Sequence, residues 1–304
     1  MEKNGNYNFK KLEERVREGL RDSDLDRIFH ELRGMKDHTL VSGVGGSSVV
    51  SEMASKVLRE KNHIITQNVE PRDFLYRSLH GYSNVLSCSY SGNNYGVEIS
   101  FLNDLKHYLL SAKRNEREDI HNITYTCQNP EKSFISLAAT LVPCSILMDY
   151  YFDGREDRVL EHLQKPDFSF DGKAPVFEIF TGLDTSTTAK YLESTMIESG
   201  IGLPIIHDKY SYCHGRSTTC KNQKSTAIYL DTHTELDQLL LSELPKYYGE
   251  VVRIDVPKGL EGDYAGLVQA MHLTKYIADQ KGMDLSGVDY NPIVKKLYKY
   301  KGEV

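Results

Sequence analysis

The arrangement that most limits what this chain can fold into occurs twice near its start: a short apolar run enters a tight turn of glycines and serines, and a helical pattern follows at once. The first is Thr39-Leu40-Val41 leading into Ser42-Gly43-Val44-Gly45-Gly46-Ser47-Ser48. The second is the run that enters Ser87-Cys88-Ser89-Tyr90-Ser91-Gly92-Asn93-Asn94. Strand, glycine turn and helix in repeated order imply a parallel sheet, because parallel neighbours need long crossovers and a helix fills them best. The same turns suit an anion. Alternate serines put hydroxyls on neighbouring sides of the loop, Gly92 permits a left-handed or close-approach backbone, and a helix opening near Asn94 aims free N–H groups and its positive dipole end at one point. Phosphate is the natural guest. Serine and asparagine also cap helices with no ligand present, and the second octet taken alone fits that plainer reading equally well.

The first turn also resembles the opening of a dinucleotide-binding fingerprint. Gly43 and Gly45 fit that pattern, but its third glycine position is Ser48, and only a stretched alignment lets Asn68-Val69-Glu70 supply the ribose carboxylate. A phosphosugar site accounts for both loops together.

On these residues the chain resembles the sugar isomerase (SIS) domain family, whose best-studied relative is the isomerase half of glucosamine-6-phosphate synthase. Gly43-Val44-Gly45-Gly46-Ser47 is similar to that family's first Gly-x-Gly-Thr-Ser loop, and Ser89-Tyr90-Ser91-Gly92-Asn93-Asn94 to its Ser-x-Ser-Gly-Glu-Thr phosphate loop. The resemblance implies a substrate-binding set of Gly45, Ser47, Ser48, Ser89, Tyr90, Ser91 and Asn94. Asn93 and Asn94 replace the family's Glu and Thr, so a side-chain amide stands in for the last hydroxyl, as a neutral donor facing phosphate can.

At 304 residues, 39% hydrophobic and 26% charged, the chain has enough apolar surface for two moderate cores. A net charge of −6 with basic residues dispersed argues against a nucleic-acid surface. Five cysteines, with no Cys-x-x-Cys pair, argue against a disulfide framework or a zinc cluster. A reducing cytoplasm, no cofactor and no metal are therefore expected. The polar start Met1 to Asn6 is unlike a signal peptide, and the most apolar stretch, Phe134 to Met148, is too short and too interrupted to span a bilayer.

Periodicity predicts one N-terminal helix over 9–37, then strands near 38–42, 62–67, 83–87 and 121–126. Helices are expected near 47–60, 71–80, 94–112 and 131–138, and an apolar run follows near 138–144. After a polar segment the scheme restarts with a strand at 175–180, a turn through Gly182 and Ser186, and a helix at 187–199. Further strands are expected near 203–207, 226–230 and 250–255, with helices at 234–246 and 263–281. The fold expected is therefore α/β. It comprises two SIS domains, each a doubly wound, flavodoxin-like parallel sheet flanked by helices. The expected boundaries are a helical segment at 1–37, a first domain at 38–150 holding both phosphate loops, a linker at 151–174, and a second domain with the C-terminal tail at 175–304. Only Gly182 and Ser186 echo a phosphate loop in the second half, which reads as a repeat whose own anion site has decayed.

Aldose–ketose interconversion needs a base between C1 and C2, a group that opens the sugar ring and a stabiliser for the developing oxyanion. Tyr212-Cys213-His214-Gly215-Arg216 resembles the family's His-Gly motif, whose histidine opens the ring across a dimer interface. Glu198 lies sixteen residues before His214, where the synthase carries its enolising glutamate. The synthase's lysine three residues earlier falls on Thr195 here, so that lysine's role does not carry over. Gly287 to Pro292 followed by Lys295 and Lys296 resembles the synthase tail, which makes Lys296 the candidate third catalytic group, although a solvated basic helix fits the tail as well. Arg216 replaces the synthase's proline. It suits a carboxylate on an amino-acid conjugate of a sugar phosphate, or a structural pairing across the dimer.

The resemblance thus implies a homodimer with shared sites that acts on a sugar phosphate, as an aldose–ketose isomerase or a fructosamine-type deglycase. The alternative is a non-catalytic sugar-phosphate sensor.

Overall fold

The computed structural model describes residues 9, 11–76, 78–127, 135–221 and 224–287, with the backbone alone at 219–221. From Leu12 on, two helices, α1 (Leu12–Asp22) and α2 (Leu25–Gly34), stand where one continuous helix was expected. Their separation is local chemistry. Ser23 turns its hydroxyl onto the Gly19 carbonyl (2.5 Å), and Asp24 caps α2 by accepting from the Arg27 N–H (3.2 Å). Serine and aspartate compete with the helix for backbone partners in this way.

The first sheet is built from β1 (Thr39–Gly43), β2 (Thr66–Val69), β3 (Asn84–Cys88), β4 (Lys106–Ser111) and β5 (Ile120–Thr124). Its order is β2-β1-β3-β4-β5 and every pairing is parallel. Helix α3 (Gly46–Asn62) follows β1, a 3₁₀ turn (Pro71–Leu75) stands where a helix over 71–80 was expected, and α4 (Tyr95–Ser100) follows β3. The helix expected over 94–112 stops at Ser100, a turn follows, and β4 begins at Lys106. Asn103 makes the break: its amide donates to the Ser100 carbonyl (2.8 Å) while its side-chain oxygen accepts from the Leu105 N–H (3.0 Å). Such an Asx turn ends a helix and releases the following residues to the sheet. The run near 138–144 forms α5 (Ala138–Tyr151), buried along most of its length with Pro143 inside it. Half of the helix expected at 131–138 lies outside the described residues, and 135–137 are not helical.

Helix α6 (Glu156–Glu161) sits within the segment expected as a linker, with Val159 and Leu163 buried. The second sheet comprises β6 (Val176–Thr181), β7 (Leu203–Asp208), β8 (Ser225–Asp231) and β9 (Glu250–Asp255), parallel throughout in the order β7-β6-β8-β9. It carries α7 (Ser186–Ser199), α8 (Glu235–Glu243) and α9 (Gly259–Gln280). Strands β6 to β9 thus repeat the order of β1 to β4. Among the described residues no helix is long and apolar enough to cross a membrane.

Helices α3 and α5 cover one face of the first sheet, α7 and α9 one face of the second, and the two helical pairs pack on each other. One hydrophobic cluster therefore runs from Val41 and Leu86 through Met53, Leu141, Leu192 and Met271 to Ile179 and Ile228. Inside it, Lys56 of α3 forms an ion pair with Asp263 of α9, both side chains at most 5% exposed. Asp263 also accepts from the N–H groups of Thr187 (3.2 Å) and Thr188 (2.9 Å), so it caps α7 from another helix.

Two stability outcomes follow from these buried charges. Lys56→Met leaves Asp263 ionised and unpaired and should cost about 3–5 kcal/mol in denaturant unfolding; a loss under ~1 kcal/mol would contradict the packing. Asp149 of α5 is 1% exposed, and its Oδ1 has no hydrogen-bond partner among the described residues. Burial, then the nearby Glu156 and Asp157, push its carboxyl up to about 6. The folded state therefore holds this proton more tightly than the unfolded chain. The stabilisation is complete below about pH 4, where the unfolded group titrates, and is lost as pH rises through about 6. Asp149→Asn should flatten that loss and raise stability at pH 7 by on the order of 2 kcal/mol. Equal pH profiles for variant and wild type would refute it.

Candidate functional site

The two glycine–serine loops emerge side by side. Strands β1 and β3 are paired with Ser42 opposite Ser87 and Gly43 opposite Cys88, so both chains leave the sheet at one edge. Helix α3 then packs on the inner face, among Val49, Val50 and Met53, whereas α4 packs on the outer face with Val97 and Ile99. Opposite departures open a crevice at the carboxyl ends of the strands, the place where open α/β sheets take ligands. Ser42, Gly43, Val44, Cys88 and Asn94 line it. Two glycines make the first loop possible. A Cβ on Gly43 would stand 2.2 Å from the Ser47 carbonyl oxygen, and Gly45 has φ +59°.

The structure divides the expected phosphate-binding residues into two groups. Ser89 is buried, and its hydroxyl oxygen accepts from the Gly92 N–H and from the Asn94 amide, each at 3.1 Å. Asn94 meanwhile caps α4, its side-chain oxygen accepting from the Val97 N–H (3.0 Å). These two shape the loop from within. Ser47, Tyr90 and Ser91 are half-buried at its rim, Ser48 is buried in the first turn of α3, and Gly45 is exposed.

Glu198, in the last turn of α7, approaches the first loop at Gly45. Its Oε1 lies 3.9 Å from where a Cβ on Gly45 would stand, so the carboxylate overhangs the first loop within a single chain. Burial pushes the Glu198 carboxyl above its ordinary range, opposed by a hydrogen bond donated by Ser194 (3.1 Å). Ser194 was missed from sequence, although its position four residues earlier on the same helical face is a readable signal. Thr195, three residues before Glu198, is buried and donates to the Tyr191 carbonyl (2.8 Å).

His214 lies exposed in the turn that follows β7. The turn is tied down on both sides: Ser211 donates its N–H (2.9 Å) and hydroxyl (2.8 Å) to Asp208, and the His214 N–H donates to the Ser211 carbonyl (3.0 Å). Arg216 donates to the Ile206 carbonyl of β7 within its own chain (2.7 Å). Lys296 lies outside the described residues, as does Lys295.

The equivalent edge of the second sheet is built differently. The loop after β8 already holds a carboxylate: Asp237 accepts from the Thr232 N–H (3.1 Å) and hydroxyl (2.9 Å), the Thr234 N–H (3.0 Å), the Tyr229 hydroxyl (2.7 Å) and the Lys209 ammonium (2.7 Å). Those bonds overcome the cost of burial and hold Asp237 well below the usual carboxylate range. The helix after β6 is α7, whose N-terminus takes Asp263. Both anion positions of the second half are thus filled by the protein's own carboxylates. Beyond β8, the ligand atoms of Asp231, His233 and Asp255 approach one another, but Arg253 bridges the two carboxylates (2.7 and 2.6 Å) and supplies the positive charge itself.

The comparisons with known proteins agree with this architecture. The tagatose-6-phosphate ketose/aldose isomerase of Escherichia coli superimposes with a TM-score of 0.73 at 14% identity, covering 96% of this chain and 97% of that one. The fold is that of the phosphosugar isomerases. A glucosamine-6-phosphate deaminase from Thermotoga maritima matches with a TM-score of 0.68 at 14% identity, over 91% of this chain and 96% of its own. The C-terminal domain of glucosamine-fructose-6-phosphate aminotransferase from Francisella tularensis matches at 0.69 and 13% identity, over 94% and 98%. No family model matches the sequence, and no curated protein matches it. The phosphosugar-isomerase fold is therefore kept here with little of the sequence in common.

If Asp237 stands where a ligand anion would otherwise sit, removing it should create demand for one. Asp237→Gly should lower the melting temperature, and millimolar inorganic phosphate should raise it by more in the variant than in wild type. An equal rise in both proteins would show that Asp237 does not occupy an anion position.

Proposed function

We propose that this chain is a phosphosugar aldose–ketose isomerase whose site lies between the first-sheet loops and the end of α7. The observation that carries the reading is the placement of the Glu198 carboxylate beside Gly45, an acid/base group held over an anion-binding loop. Ser47 and Ser91 with the loop N–H groups hold the phosphate, and Ser89 and Asn94 keep the second loop in shape for it. Tyr90 and Ser48 close the sides. A carboxyl raised by partial burial retains a proton more readily than a surface glutamate, so Glu198 can take the proton from C2 and return it to C1 near neutral pH.

The remaining parts rest on the resemblance to SIS proteins and on the phosphosugar chemistry in the names of the structural neighbours. Each sheet with its helices is read as one SIS unit, a view the matching strand orders support. The chain works as a homodimer, with His214 of the partner subunit opening the sugar ring and Lys296 in the tail. Arg216 bears on the choice of substrate. Its hydrogen bond to Ile206 uses one of the five guanidinium donors, so a deglycase substrate remains the alternative to a simple sugar phosphate. Thr195 supports a second reading: a buried, hydrogen-bonded threonine where the synthase has its lysine suits a sensor that binds a sugar phosphate without turning it over.

Solvent deuterium exchange into fructose 6-phosphate and related hexose and hexosamine phosphates separates the two. The wild type should exchange the C1 or C2 hydrogen of at least one of them. Glu198→Gln should lose about two to four orders of magnitude in rate with binding little changed. The wild-type rate should fall on the acid side at a pH above the ordinary glutamate range, because only ionised Glu198 accepts the proton. Near-normal exchange by Glu198→Gln would reject the assignment, and tight binding without exchange by either protein would establish the sensor.

A further inference from the structure

Beneath the loop that carries His214 lies a carboxylate that the proposed chemistry does not use. Glu178, third residue of β6, is fully buried on the outer face of the second sheet. An ionised carboxylate there costs several kcal/mol of desolvation, and an apolar residue of similar volume would stabilise the sheet as well or better. Glu178 is nonetheless closely coordinated. Its Oε1 accepts from the Ser225 hydroxyl (2.9 Å), and its Oε2 accepts from the His207 ring (2.8 Å) and the Tyr248 hydroxyl (2.7 Å).

The Tyr248 hydroxyl also meets the Tyr212 hydroxyl at 2.8 Å. A phenol has one proton to give. Because Tyr248 gives its proton to Glu178, Tyr212 must donate to Tyr248, and the chain of bonds runs from Tyr212 through Tyr248 to the buried charge. Each bond polarises the next. The Tyr212 ring is also packed edge-on against Phe180 (4.8 Å) and His207 (5.1 Å). His207 contributes a second oddity: its Nδ1 is fully buried with no hydrogen-bond partner among the described residues, so its ring is held by the single bond to Glu178 and by packing.

Tyr212 is two residues from His214. Its hydroxyl is fixed in this chain and its carbonyl accepts from the Ser217 N–H (3.1 Å), while Lys209 at the start of the same loop is fixed on Asp237. The exposed turn is thereby pinned before and after its centre. We propose that Glu178, Tyr248 and Tyr212 form a buried relay that sets the orientation of His214, acting as positioning residues through the backbone of the loop. The functional consequence rests on the reading of His214 given above; the relay itself does not.

Histidine-selective NMR tests the relay without any substrate. The His214 signal is assigned by its loss in His214→Asn and then followed in Tyr248→Phe and in the milder Tyr212→Phe, which removes only the last hydroxyl of the chain. Ile228→Val, a buried change in β8, serves as a control for general loss of stability. The relay requires the His214 signal to shift or broaden in both tyrosine variants and to stay in place in the control. An unmoved signal in Tyr212→Phe overturns it, even if Tyr248→Phe fails to fold. Equal movement in Ile228→Val overturns it as well. Deuterium exchange into fructose 6-phosphate adds the second readout. With the phosphate loops untouched, Tyr212→Phe should lower kcat by about tenfold to a hundredfold, the cost of a misplaced catalytic group, and leave KM within twofold. A moved His214 signal in a protein that exchanges no phosphosugar at all would uphold the relay and reject the isomerase reading separately.

Discussion

The carboxylate of Asp263 decides where the two sheets meet. It takes the ammonium of Lys56 from α3 and the first free N–H groups of α7, while Lys56 also donates to the Leu183 carbonyl just ahead of that helix (2.9 Å). One turn back along α3, Glu52 accepts from the Ser186 hydroxyl (2.9 Å), a second tie between the same two elements. The start of α7 is therefore bound to the middle of α3. From Lys56 back to Gly46 is about 15 Å of helix, and from Ser186 forward to Glu198 about 18 Å, at ~1.5 Å per residue. Two helices joined at one level and running antiparallel bring their far ends together, which is why Glu198 arrives beside Gly45. The candidate site is a geometric result of a buried ion pair more than one helical turn away.

The same carboxylate explains the asymmetry of the two halves. A parallel sheet with helices after its strands presents N–H groups and positive dipole ends at one edge, and those groups need an acceptor. In the second sheet the protein supplies it: Asp263 from α9 for the helix after β6, and Asp237, the third residue of α8, for the loop after β8. In the first sheet the second loop is shaped by neutral groups, a serine hydroxyl and an asparagine amide, which hold the backbone without filling it with charge. One architecture thus yields a self-satisfied edge and an edge built of hydroxyls and N–H groups.

Much of this was legible in the sequence where the signal is local. The glycine–serine turns marked β1, α3 and β3, and the restart of the pattern marked β6, α7 and the parallel order of the second sheet. The misreadings have local causes too. Val97, Phe101, Leu105, Tyr108 and Leu109 are spaced as a helix would place them, so the helix was extended through β4; the Asx turn at Asn103 overrode the spacing. The polar contacts that fix the site were beyond reach for a different reason. Asp263, Glu178 and Tyr248 act on elements distant in sequence, and a charged residue in a strand or helix reads as surface unless its partner is known. Glu198 was singled out by its spacing from His214 in the resemblance, but its proximity to Gly45 depends on how α3 and α7 pack, and no local pattern records that.

The central claim is that a sugar phosphate sits between the first-sheet loops under Glu198, and a crystal structure with fructose 6-phosphate tests it most directly. The phosphate should lie within hydrogen-bonding reach of Ser47 and Ser91, with C1 or C2 of the sugar toward the Glu198 carboxylate. Phosphate bound at the second-sheet edge by Thr232 and Lys209, or a sugar turned away from Glu198, would contradict the account.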